Sequence, residues 1–294
     1  AEGVPPSAFG QLWVDVEHEL ARTGELARRA VPAVLGLLRQ AIEAPQERAA
    51  AAVGMVRSLT RLAVPTTSPL SPVMTGRSLG TSLAALRVPL AETRERARSA
   101  GGTINDAFVA TVLDGLRRYH TKHGATPPAL RVGVPISTRS ADRADDLANQ
   151  VAPARIVAPL QLAEFGPRLA AVHDLVAAER AEPALAAMDA LAAVANRLPV
   201  AAPAIGAVMR SMDVMASNVP GSPAPLFLGP AKLLALVPFG PRAGAALNVT
   251  VISYDGALHI GVNMDPAATP DTGVLADCLR DAFDQLVLGC PPLR

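Results

Sequence analysis

Apolar positions along this chain switch between a helical period and a strand period, and the switches mark out the elements. Between Thr103 and His123, Ile104, Phe108, Val112 and Leu116 recur every four residues, which makes one buried stripe on a helix. Thr103 followed by Asp106 is a capping-box-like start. Arg117, Arg118, His120, Lys122 and His123 crowd the other end, where positive charge suits the helix dipole, and Gly124 supplies the stop. A closing helix, Asp271 to Leu288, carries Val274, Leu275, Leu279, Phe283 and Leu286 on one side. Between these two, short apolar runs bounded by turn residues predict strands over Ala129–Ser137, Gln150–Pro159, Asp213–Asn218, Ala231–Pro238, Ala245–Tyr254 and Ala257–Met264. Asp255-Gly256 joins the last two as a two-residue hairpin. A further strand is expected in TSLAALRVPL from Thr81, followed by a short charged helix, Leu90 to Ser99, and a Gly101-Gly102 break.

The remaining segments are helical or irregular. Val14 to about Leu62 is rich in Ala, Leu and Arg and reads as two or three helices punctuated by Gly24, Pro32 and Pro45. Residues 64–78 hold three prolines and a Ser/Thr cluster, as a linker or an ordered loop does. Further helices are expected over about 161–181, 184–197 and part of 200–211. Helices and strands interleave without a strict βαβ rhythm. The expected fold class is therefore α/β, in the sense of an α+β sandwich with a mixed sheet packed with helices. The pattern changes after the 64–78 linker, which sets the helical residues 1–77 apart from 78–294, where strands appear.

Composition narrows the function classes. Half of the 294 residues are hydrophobic and 3% aromatic, and the net charge is +1. With a mean hydropathy of +0.28, this supports a sizeable aliphatic core and excludes wholesale disorder. Neither a basic patch nor a base-stacking platform is indicated, so no nucleic-acid partner is expected. The longest uncharged run, Val214 to Ala231, contains four prolines and cannot form a spanning helix. Seven arginines against five glutamates between Glu17 and Arg61 leave peripheral contact with a membrane or lipid-droplet surface open. Cys278 and Cys290, roughly 18 Å apart on a continuous helix, are expected to be reduced, as in a cytoplasmic chain.

No Gly-rich phosphate loop, GxSxG elbow or SxxK occurs, and no Cys/His spacing suggests a metal. His18 and His173 fall in charged helical stretches and read as exposed. His120 and His123 read as charges at a helix end, and His259 as a hydrogen-bonded, half-buried strand residue. Asn105-Asp106 opens a well-defined helix. Asp106 reads first as its cap, and Asn105 either as part of that cap or as a group facing a ligand. Ser217-Asn218-Val219-Pro220-Gly221 is a polar elbow leaving a strand, and a tight turn alone would explain it.

Taken in order, these stretches resemble one family. GGTINDAFVATVLDGLRRYH resembles the Asn-Asp helix of the bacterial wax ester synthase/diacylglycerol acyltransferases. LRVGVPISTRS followed by LANQVAPARIVAPL is similar to that family's paired strands and connecting loop. SNVPGSPAPLFLGPAKLLALVPFGPRAGAALNVTVISYDGALHIGVNMDP is similar to its C-terminal signature. The resemblance implies one lobe of a chloramphenicol-acetyltransferase-like fold. It also implies acyl transfer from acyl-CoA, as co-substrate and without a bound cofactor, to a diacylglycerol or long-chain alcohol.

The family's HHxxxDG motif is absent from these residues, and Gln11-Leu12-Trp13 does not match its Pro-Leu-Trp motif. The expectation is therefore a C-terminal lobe, inactive alone, whose catalytic histidine comes from an N-terminal lobe. The alternative is a lipid- or CoA-binding module on half of the same fold. The resemblance carries over Asn105, Asp106, Ser217, Asn218 and Gly221 as substrate-binding positions. To these it adds Arg139 and Asn149, which flank the loop between the paired strands.

Overall fold

A computed structural model describes residues 68–137, 151–181 and 209–289. One six-stranded mixed sheet organises them. Its strands are β1 (Ser82–Pro89), β2 (Ala129–Ser137), β3 (Val151–Pro159), β4 (Val214–Val219), β7 (Leu247–Tyr254) and β8 (Ala257–Met264), in the order β1-β8-β7-β4-β2-β3. β2, β4 and β7 run parallel, and every other neighbouring pair is antiparallel. A separate ribbon pairs β5 (Phe227–Leu228) with β6 (Ala231–Lys232). The helices are α1 (Leu90–Ser99), α2 (Ile104–Lys122), α3 (Phe165–Arg180) and α4 (Thr272–Leu288). The mixed sheet packed with helices expected from the periodicities is the fold observed.

The strand pairings sort the side chains onto two unlike faces, because successive residues of a strand alternate. One face is aliphatic: Leu86 and Val88, Leu258, Ile260 and Val262, Leu247, Val249 and Val251, Val214, Val132 and Ile156 are all buried. They join the helices in one core. The opposite face carries Arg87, His259, Asn263, Asn248, Thr250, Ser217, Arg131 and Arg155. Over β7 and β8 that polar face is crossed by the irregular segment 238–241. Asn263 donates to the Gly240 carbonyl (3.0 Å) and Asn248 to that of Pro241 (2.9 Å). A side chain at Gly261 would run into the Pro238 carbonyl, so this close crossing requires glycine there.

α2 forms the centre of the helical layer. Gly115 lets it approach the backbone of α4 at Leu279, and Phe108 stacks on Phe283 with centroids 6.3 Å apart. Toward α3, buried Asp114 takes an ion pair from Arg168 (3.2 Å) besides those from Arg117 and Arg118. Burial pushes the Asp114 carboxyl up, but the three guanidinium groups together hold it below its ordinary value.

Element boundaries follow the expectations closely except in one region. Of Ala231–Pro238, only Ala231 and Lys232 pair, and they do so in the exposed ribbon rather than in the sheet. The apolar run that suggested a strand is a solvent-facing surface: Leu234 is 79% exposed. α4 ends at Leu288 with Gly289 as its C-cap, so Cys290 lies past the helix and outside the described residues. The helices expected over 14–62 and 184–197 also fall outside them, as does most of the one over 200–211. Residues 68–77 form an ordered loop, with Ser71 and Met74 buried against the body.

Candidate functional site

The two polar motifs picked out from the sequence approach the same end of the sheet. α2 finishes beside Ser71, where His120 Nε2 meets the serine hydroxyl at 2.7 Å. The backbone N–H groups of Ser71 and Leu70 donate to Asp213, the residue just before β4. α2 therefore ends where β4 begins and runs back over the sheet. At 1.5 Å per residue it is about 28 Å long, longer than β4 at about 20 Å. The first turn of α2 lies toward the end at which β4 finishes in Ser217, Asn218 and Val219.

At that first turn the capping box is complete. Thr103 Oγ1 accepts from the Asp106 N–H (3.2 Å), while Asp106 Oδ2 accepts from Thr103 N–H (2.9 Å) and Oγ1 (2.8 Å). The same Oδ2 meets His173 Nδ1 of α3 at 2.9 Å. Asp106 is 3% exposed and its Oδ2 takes all three of these contacts, so it is the cap expected of it. Asn105 beside it is half-buried, and its carboxamide has no hydrogen-bond partner among the described residues. It sits where N–H groups of the first turn lack intrahelical acceptors and the helix dipole is positive.

The β4 elbow opens because the sheet parts there. The ladder between β2 and β4 stops after two pairs, Val132 with Val214 and Gly133 with Met215, whereas β4 stays paired with β7 through Val219. Along Ala216–Val219 no strand among the described residues pairs with the β2 side of β4. A side chain at Gly221 would collide with the Ser253 carbonyl on β7, which makes that glycine a packing requirement of the elbow. Beyond it, Tyr254 pins the base of the ribbon. Its hydroxyl accepts from Leu226 N–H (2.9 Å) and donates to the Leu233 carbonyl (2.9 Å). Above this anchor Phe227, Leu228 and Leu234 are 62%, 76% and 79% exposed, and Val219, Val237 and Phe239 are exposed too.

The histidines depart from the sequence reading in informative ways. His120 is not a charge at a helix end: it is fully buried, with Nδ1 on the Leu116 carbonyl (2.7 Å) and Nε2 on Ser71. Burial pushes its pKa down, which favours the neutral ring. His123 does stand at the helix end and pairs with Asp271 at 3.1 Å. His173 is half exposed, as expected, but its contact with Asp106 raises its pKa. His259 is buried more deeply than expected, with Nε2 unpartnered among the described residues and its pKa lowered by burial. No group of three His, Cys, Asp or Glu gathers for a metal among the described residues. No helix among them is long and apolar enough to cross a membrane.

Residues 148–287 match the family model described as the WS/DGAT C-terminal domain. This segment is a WS/DGAT C-terminal domain. The matched segment starts in β3's approach, so β1, β2, α1 and α2 precede it yet share its sheet and core. Similarity to curated proteins reaches further. The chain is 31% identical over 260 residues to a putative diacylglycerol O-acyltransferase of Mycobacterium tuberculosis, covering 88% of this chain and 52% of that protein. It is 32% identical over 212 residues to the probable diacylglycerol O-acyltransferase tgs1 of the same species, covering 69% and 46%. The chain thus spans about half the length of the curated relatives it matches.

Among solved structures, the wax ester synthase/diacylglycerol acyltransferase of Marinobacter aquaeolei superposes with a TM-score of 0.56. Its sequence identity is 22%, over 79% of this chain and 55% of that one. The condensation domain for chain release from the enacyloxin polyketide synthase gives 0.55 at 15% identity, over 87% and 50%. These likenesses establish the fold.

Of the positions carried over from the family, Asn105, Asp106, Ser217, Asn218 and Gly221 lie in described elements, and no hydrogen bond joins the first two to the last three. Arg139 and Asn149 lie outside the described residues. His173 was missed as a partner of Asp106. A spacing rule within one helix could not have found it, because the two are 67 residues apart.

Proposed function

We propose that this chain is the C-terminal lobe of an O-acyltransferase that moves a fatty acyl group from acyl-CoA to the hydroxyl of a diacylglycerol or a long-chain alcohol. The observation that best supports the reading is the alignment with named diacylglycerol O-acyltransferases over 88% of this chain but only 52% of theirs. In this reading the lobe extends from about Ser78 to the end, with residues 1–77 as the crossover. The acceptor oxygen attacks the thioester carbonyl carbon as its proton passes to a histidine. The C–S bond breaks, and the thiolate leaves as CoA after taking up a proton. A base of suitable pKa lowers that barrier. It would come from the HHxxxDG segment of an N-terminal lobe, a motif these 294 residues do not contain.

The lobe's own contribution is positioning. Asn105, with its free carboxamide at the start of α2, would face the tunnel between the lobes. Ser217 and Asn218 would line it where β4 has parted from β2, with Gly221 setting their direction. Such polar groups, fixed before reaction, stabilise charge developing on the carbonyl oxygen. Arg139 and Asn149 would flank the same tunnel from the β2–β3 connection. The exposed apolar ribbon around Phe227, Leu228 and Leu234 would dock on the N-terminal lobe, since an apolar patch of this kind marks an interaction surface.

The test is to mix the chain with the amino-terminal half of a close relative and follow CoA thiol release from palmitoyl-CoA with diolein or hexadecanol. Turnover that needs both halves, and that is lost when the histidines of HHxxxDG are replaced, is the expected result. Acyl-CoA binding by this chain without turnover in the mixture would reject the acyltransferase reading in favour of a binding module.

A further inference from the structure

At the opposite end of the sheet, where β8 ends and β4 and β7 begin, lies a cleft of about 640 Å³. Among the described residues three arginines line it, Arg77, Arg210 and Arg242, with Asp265 as the one carboxylate. Arg77 is fixed. Its guanidinium donates to the carbonyls of Met74, Gly76, Arg210, Met212 and Gly244, which satisfy its N–H groups but carry no net charge. Asp265 is 2% exposed and already accepts from Ser78 N–H, Ser78 Oγ and Ala267 N–H. It reaches Arg242 only as an ion pair at 3.5 Å. Arg242 Nη1 is buried without a hydrogen-bond partner, and Arg210 is exposed and has no ion-pair partner among the described residues. Asp213, behind the cleft, also acts on the charge of Arg77, and the three guanidinium groups still leave the cleft net positive with donor capacity unused.

We propose that this cleft binds a phosphate monoester, gripped by Arg210 and Arg242 against the fixed charge of Arg77. Guanidinium groups match phosphate oxygens in shape and charge, and an anionic phosphate suits the net positive cleft. The site lies about 25 Å from the β4 elbow, counting eight residues of β7 at about 3.3 Å each. It is separate from the polar end assigned above. Two sources present the same chemistry: a nucleotide phosphate such as the 3′-phosphate of CoA, or the headgroup of an anionic lipid. Only the CoA source rests on the acyl-transfer reading.

The experiment uses the intact chain and two soluble probes, inorganic phosphate and adenosine 3′,5′-bisphosphate, followed by calorimetry. Phosphatidylcholine vesicles with and without phosphatidate form the second arm. Binding is expected to fall about tenfold or more in Arg210→Gln, to fall less in Arg210→Lys, and to stay unchanged in Arg94→Gln on exposed α1. Because Arg210 is exposed, its variant should melt as the parent does. Arg242→Gln is read only alongside its melting curve, since it also removes the ion pair with Asp265. Preference for the bisphosphate assigns the nucleotide source, and preference for phosphatidate vesicles the lipid source. Failure of every probe to bind, or equal binding by Arg210→Gln and the parent, overturns the proposal. Neither outcome bears on acyl transfer, because no acyl donor is present.

Discussion

The two ends of α2 solve opposite problems. At its C-terminal end the chain closes on itself. Asp213 accepts from the N–H groups of Leu70, Ser71 and Arg131, and His120 bridges Ser71 and the Leu116 carbonyl. Arg131 also reaches the Ser68 carbonyl. These groups tie the 68–77 loop to β4 and α2. At its N-terminal end Asp106 is engaged, through its Oδ2. Asn105, Ser217 and Asn218 keep unused hydrogen-bonding capacity, β4 has lost its β2 neighbour, and the ribbon exposes large apolar side chains. Around α2 itself, the polar side chains at one end are taken up in holding the loop, and those at the other keep capacity to bind. That is the expected division when a fold supplies a rigid platform for a site it does not complete by itself.

The sharpest way to break this comparison is to remove one acceptor from each end. Asp213→Ala leaves three backbone N–H groups without their partner in a buried setting, at about 1–3 kcal/mol for each. Relaxation and water entry reduce the sum, and urea denaturation should show a loss of about 3–5 kcal/mol. Burial raises the Asp213 pKa against those same hydrogen bonds. Asp213→Asn, which keeps an acceptor oxygen, should therefore cost less than alanine. Ser217→Ala should change stability by no more than about 0.5 kcal/mol. A large loss at Ser217 would show that the elbow too is part of the scaffold.

How much of this was legible beforehand depends on the range of each interaction. The capping box of Thr103 and Asp106 and the hairpin at Asp255-Gly256 are local, and both stand where the residues alone put them. The order of the strands was not legible, because β4 sits between β7 and β2 through pairings that no short window contains. His120 was misread for the same reason: its partner Ser71 lies 49 residues away. The run from Ala231 to Pro238 failed differently. Its apolarity suits a strand, but it lies outside the six-stranded sheet with most of its side chains exposed. Among the site positions, Asp106 was recognisable as a cap. The parting of β2 from β4, which gives Ser217 and Asn218 their open edge, is a property of the sheet alone.

Acid should find the closed end first. The folded-state pKa of His120 is lowered, so below its unfolded value near 6.5 the unfolded chain binds a proton that the folded chain resists. Stability should thus fall as pH drops below about 6.5, with a slope of at most about 1.4 kcal/mol per pH unit from this group. Melting temperatures between neutral pH and pH 5 would show it. His120→Gln, which does not titrate, should flatten that part of the curve. An unchanged slope would remove His120 from the account.

The ribbon offers a test with almost no stability component. Replacing Phe227, Leu228 and Leu234 together by Ser removes apolar surface that is already in water, so the melting curve should move little. Association with an N-terminal half should weaken, as read by analytical ultracentrifugation of the mixture. Equal association by parent and variant would place the lobe interface elsewhere.

The smallest effect belongs to the open end and has the opposite sign in pH. The Asp106 hydrogen bond and charge raise the folded-state pKa of His173, so this pair adds stability that is present below the unfolded value and lost as pH rises through the folded one. His173 is 48% exposed, and solvent screening limits the gain to about 0.5 kcal/mol or less. Asp106 keeps Thr103 as a partner without it, so His173→Gln should leave α2 capped and shift the melting point only slightly, an effect that fades as pH rises through the raised folded-state pKa. The two histidines thus pull in opposite directions as the solution is acidified, with His120 the stronger because it is fully buried. A double variant, His120→Gln with His173→Gln, should lose both contributions and show the flattest pH profile of the series. If instead His173→Gln destabilised the chain as much as His120→Gln, the first turn of α2 would be held by the ion pair rather than by its capping box. Asn105 would then be positioned from α3 rather than by its own helix.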